Sequence, residues 1–69
     1  MRLIGSRALV LNNMGYSYLL RGDLEKSKVT LAAAYRTDPE NPYVMGNIDL
    51  LNEKLAAANS EPLDVYDAG

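Results

Sequence analysis

With 69 residues, a net charge of −2 and neither cysteine nor histidine, this chain is bounded before any motif is read. It lacks the commonest general base, the thiol nucleophile, the disulfide and most zinc sites. One domain at most fits the length, near the size where a single core supplies only about 3–5 kcal/mol, and no run of about 18 apolar residues is present to span a membrane.

The first seven residues read as an N-terminal extension, with Met1–Gly5 too short for a signal peptide. A helix is predicted over 6–21, where Leu11, Met14 and Tyr18 fall at i, i+3, i+7 and form one stripe. Gly22-Asp23 then supplies a stop and a start: glycine ends a helix in the left-handed conformation, and Asp23 caps the free amides of the next. A second helix over 24–36 carries Leu24, Ser27, Leu31 and Ala34 on one face, and so short a connection forces the pair antiparallel. Gly15 in mid-helix costs about 1 kcal/mol relative to alanine. The expected compensation is close approach of the two backbones where Gly15 faces Ser27.

Asp38-Pro39-Glu40-Asn41-Pro42 ends the second helix, because proline cannot continue it. Asn41 is a good N-cap with Pro42 at the first helical position. A third helix is predicted over 42–58, with Val44, Ile48, Leu51 and Leu55 as its apolar stripe and Tyr35 leaning onto Val44 and Ile48. The segment 59–69 carries Glu61, Asp64 and Asp67 with no base, and with Pro62 it reads as an acidic disordered tail. A sharper alternative docks Leu63, Val65 and Tyr66 into a groove. Residues 1–58 hold all seven bases against six acids, so no clustered positive charge points to nucleic acid.

Residues 11–39 read L-x-x-M-G-x-x-Y-x-x-x-G-D-L-x-x-S-x-x-x-L-x-x-A-Y-x-x-D-P. This resembles one tetratricopeptide repeat (TPR), the helix–turn–helix unit of about 34 residues that stacks into peptide-binding solenoids. Gly15, Tyr18, Gly22, Ala34 and Pro39 carry the resemblance, with Ser27 standing where the repeat has alanine. It implies an all-α fold, with a repeat over 8–41 and a capping helix over 42–58, as a fragment of an α-solenoid. Asn47-Ile48 echoes Asn13-Met14 one repeat earlier, although Asp49 replaces the expected glycine. The run from Asn12 to Asp23 also looks like bacterial TPR proteins, including those of pilus-assembly and secretion systems.

Catalysis is disfavoured. Ser6, Ser17, Ser27 and Ser60 have no activating base nearby in sequence, and Ser27-Lys28 are adjacent rather than on one face. Asp23, Glu25, Asp38 and Glu40 sit at helix starts and turns, where capping explains them, so neither a metal nor a cofactor site is expected. Gly15 and Gly22 do not form a phosphate loop.

The resemblance implies instead a protein- or peptide-binding concave face made by Leu9, Asn12, Tyr16 and Leu19 of the first helix and Tyr43, Gly46 and Leu50 of the third. The basic clamp with which some TPR domains hold a C-terminal carboxylate is not visible at Asn12 and Tyr16, which argues against a chaperone-tail receptor. Two readings stay open: an interaction module recruiting a peptide or protein, and a self-assembly unit whose groove is filled by another copy. Solenoids generally need about three repeats, so an isolated monomer is not expected. Leu3, Ile4, Leu9, Leu19 and Leu20 would be covered by a dimer partner or by neighbouring repeats. Cytosolic and periplasmic locations are both compatible with the sequence.

Overall fold

A computed structural model describes the backbone of residues 4–63 and the side chains of residues 7–63. The fold is all-α, with three helices and no strand among the described residues: α1 (Ile4–Leu20), α2 (Leu24–Thr37) and α3 (Pro42–Ala57). The expected bounds of 6–21, 24–36 and 42–58 lie within two residues of these.

Each junction is built by the residues that mark it in the sequence. At the end of α1, Gly22 has φ +82°, its N–H donates to the Leu19 carbonyl at 3.0 Å, and the Asp23 N–H donates to the Tyr18 carbonyl at 2.9 Å. This nested pair is a Schellman stop, and it satisfies carbonyls that a helix end leaves without partners. Asp23 then accepts from the Lys26 N–H at 3.3 Å and opens α2. Asn41 accepts from the Tyr43 and Val44 amides at 2.9 and 3.4 Å to open α3, with Pro42 behind it. The end of α3 repeats the stop of α1 with Asn59 at φ +58°, the Ser60 N–H reaching the Leu55 carbonyl at 2.8 Å. Asparagine is among the few residues besides glycine that visit this region routinely.

The tightest seam lies between α1 and α2. A Cβ built on Gly15 would stand 2.6 Å from the Cγ and Cδ2 of Leu31, a fully buried side chain. Even alanine has no room there. Beside it the Ser27 hydroxyl donates to the Gly15 carbonyl at 2.8 Å, so the serine ties the two backbones together as well as leaving space for them.

On α3 the stripe Val44, Ile48, Leu51 and Leu55 is buried as its spacing predicts. On α2, Ser27, Leu31 and Ala34 are buried, and Leu24 and Tyr35 pack in part against the same core cluster, which includes Val44 and Ile48.

On α1 the structure corrects the sequence expectation. The buried line is Ala8, Asn12, Gly15 and Leu19; of the expected stripe Leu11 is half-buried and packs against the core cluster, Tyr18 is half-buried, and Met14 is 45% exposed. At about 3.6 residues per turn the inward line is displaced by roughly a quarter-turn from Leu11–Met14–Tyr18. The cause is that α1 is covered from two sides. Both α2 and α3 pack on it, so its most buried line lies between the two contacts rather than opposite α2 alone.

Of the segment expected to form a disordered tail, residues 64–69 fall outside the described residues, and with them Asp64, Val65, Tyr66 and Asp67. Leu63 is held against the core cluster, its N–H donating to Asn52 Oδ1 at 2.7 Å and its carbonyl accepting from Asn52 Nδ2 at 3.2 Å. The extension 1–7 is described only from residue 4, so Leu3 and the side chain of Ile4 also lie outside.

Candidate protein-binding face

The flank of α1 that turns away from α2 carries Leu9, Tyr16 and Leu20, which recur at i, i+7, i+11, with the exposed Asn13 at i+4 between them. Leu9, Tyr16 and Leu20 are 41%, 39% and 67% exposed. On α3 the corresponding flank carries Tyr43, Asn47 and Leu50 at i, i+4, i+7. Tyr43 is 70% exposed, Leu50 is half-buried against the core, and Gly46 is exposed with open space around it.

The two flanks meet at a pair of amides: Asn47 Nδ2 donates to Asn12 Oδ1 at 2.9 Å. Asn12 is only 5% exposed, so its oxygen needs this partner; a buried amide without one would cost about 1–3 kcal/mol. No buried side-chain polar atom among the described residues lacks a hydrogen bond.

The residues expected on the concave face therefore divide. Leu9, Tyr16, Tyr43 and Gly46 are accessible, and Leu50 is so in part. Asn12 and Leu19 are not: Leu19, at 2% exposed, belongs to the core cluster, and Asn12 forms the polar seam beneath. The shift of the inward line of α1 accounts for both. Asn47 is the residue the sequence reading missed here. Its signal is an asparagine in a helix interior, where its propensity is poor and a tertiary partner is needed to keep it.

Charge enters this face at the C-terminal end of α3, where the line Tyr43–Asn47–Leu50 continues to Lys54 and Glu53 lies beside it, both exposed. The described residues contain no group of three or more acidic side chains that could hold a metal ion, and none of their helices is long and apolar enough to cross a membrane. What the face offers is aromatic and aliphatic area over a hydrogen-bonded amide floor. Phenol rings combine an apolar body with a polar tip, so the hydroxyls can meet water while the rings add apolar area.

No family model, curated protein or solved structure matches the chain.

Proposed function

We propose that this chain is a non-enzymatic protein-interaction module, TPR-like in its use of a helical hairpin and a third helix, which binds an extended peptide or partner segment across the α1–α3 face. The observation that carries this reading is the grouping of Leu9, Tyr16, Leu20 and Tyr43, all exposed, along the two flanks that meet at the Asn12–Asn47 pair. Scattered exposed apolar residues are ordinary, whereas a grouped set of large ones on adjoining elements is the usual mark of an interaction surface. The two flanks meet at the Asn12–Asn47 pair, so an occupant lying over it contacts both helices. Its side chains insert between the tyrosines, and its backbone polar groups meet the phenol hydroxyls and the edges of the amides.

Selection from a displayed library of random linear peptides tests this. The wild-type chain enriches a sequence class, and Tyr43→Ala weakens the enriched peptides by more than about 1 kcal/mol, as truncating an aromatic anchor commonly does. Val29→Ala, at a 70% exposed position on α2, leaves them unaffected. Equal binding by wild type and Tyr43→Ala contradicts the proposal. A fall in molar mass on Tyr43→Ala would instead assign this face to contact with a second copy.

A further inference from the structure

The side of the α1–α2 hairpin turned away from α3 bears a second groove with its own charge order. Arg7, Leu11, Met14 and Tyr18 of α1 recur at i, i+4, i+7, i+11, and so do Lys26, Thr30, Ala33 and Thr37 of α2, so each helix supplies one straight wall. Because the helices are antiparallel, Arg7 stands at the Thr37 end and Tyr18 at the Lys26 end. The ring of Tyr18 lies 5.7 Å from the Lys26 ammonium, as this register requires. Clefts open at both ends, one lined by Arg7, Leu11, Ala33, Arg36 and Thr37, the other by Tyr18, Glu25, Lys26, Val29 and Thr30. Between the clefts stands Met14, 45% exposed, and Val29 of the turn-end cleft is 70% exposed.

At the open end both Arg7 and Arg36 are exposed and neither has an ion-pair partner among the described residues. At the turn end the charges are engaged with one another. Lys26 bridges Asp23 at 3.8 Å, and Arg21 and Lys26 both stand over the Tyr18 ring at 5.7 Å. The carboxylate there with no cation partner among the described residues is Glu25, exposed in the first turn of α2.

We propose that this groove is a homodimer interface, closed by a second copy of the chain about a two-fold axis lying in the interface and perpendicular to the helices. An axis along the groove would stack open end on open end and bring four guanidinium groups together. The perpendicular axis exchanges the ends, setting α1 on α1 and α2 on α2, so that Arg36 of each copy lies over Glu25 of the other and the Met14 side chains meet near the axis. Arg7 of each copy then lies over the Tyr18 ring of the other, where Arg21 and Lys26 already stand, so the Arg36–Glu25 pair alone supplies the charge complementarity of this isologous contact. The groove runs about 16 Å from Arg7 to Tyr18 at 1.5 Å per residue. That is a small face beside the roughly 800 Å² per partner of a standard interface, so the association is a weak and reversible one. The α1–α3 face stays on the outside, giving the dimer two copies of the proposed peptide surface. The dimer itself does not depend on peptide binding.

Sedimentation equilibrium between 50 µM and 1 mM is the test, with circular dichroism to verify helicity. Wild type shows reversible dimerisation that weakens with added salt. Arg36→Glu and Glu25→Arg each raise the dissociation constant by about tenfold, since each sets like charges face to face. The double exchange Arg36→Glu/Glu25→Arg returns it to within about threefold of wild type, because the pair is restored in reverse. Met14→Glu abolishes the dimer. If Glu25→Arg loses helicity, Glu25→Gln replaces it, with a weakening of about threefold expected. A monomer at 1 mM overturns the proposal. So does a dimer indifferent to both single charge changes, or one that the double exchange fails to restore.

Discussion

The two seams that α1 makes differ in kind. Against α2 the contact is a close fit of small groups: Gly15 lies under Leu31, and Ser27 reaches the Gly15 carbonyl at 2.8 Å, with no space for even a methyl group. Against α3 the contact adds to its apolar stripe an amide pair, Asn12 with Asn47, at 2.9 Å. The first seam admits one backbone separation. The second fixes a register through a polar contact, and beside it the side chains stay exposed. A helix pair locked by sterics gives a rigid base, and the hydrogen-bonded joint next to it carries the proposed recognition surface.

Substitutions should separate the two seams by size of effect. Leu31→Ala, at a fully buried position, is expected to cost about 2–5 kcal/mol in chemical denaturation, comparable to the whole stability of so small a domain. Gly15→Leu drives a side chain into the same place and should destabilise by about 1–3 kcal/mol, with a lowered melting temperature by circular dichroism. An unchanged melt would show that the helices are farther apart than described. At the other seam, Asn47→Ala should cost about 1–3 kcal/mol because it leaves the buried Asn12 oxygen without its donor. If it costs nothing, water replaces the amide and the seam is not a register device. Ser27→Ala removes a hydroxyl whose acceptor lies within a helix, so the loss should be about 0.5–1.5 kcal/mol. Asn52→Ala should have the smallest effect on global unfolding while raising amide exchange at Leu63, whose N–H it holds at 2.7 Å.

Legibility in the sequence followed the number of neighbours each helix has. The buried stripe of α3 was readable because one side of that helix meets the core and its apolar spacing marks that side. The hairpin was readable from Gly22 and Asp23, and the close approach from a mid-helix glycine facing a serine. The inward line of α1 was not, because two partners share that helix. The most buried positions then fall between two apolar flanks and include Ala8, Asn12 and Gly15, which carry no hydrophobic signature. For the same reason Leu9, Tyr16 and Tyr43 could be placed on an accessible face from sequence while Asn12 and Leu19 could not. The Asn52 hold on Leu63 joins a side chain to a backbone, and no periodicity reports such a bond.

The central claim is that α1 turns Ala8, Asn12, Gly15 and Leu19 inward and so leaves one flank to each of two surfaces. Nuclear Overhauser contacts in the labelled chain test it most directly. The account predicts strong cross-peaks from the Gly15 α-protons to the Leu31 methyls and between the Asn12 and Asn47 side-chain amides, with the Met14 methyl free of contacts to the core when dilution keeps the chain monomeric. Strong contacts from Met14 to Leu31 in the monomer, with Asn12 solvent-exposed, would contradict it.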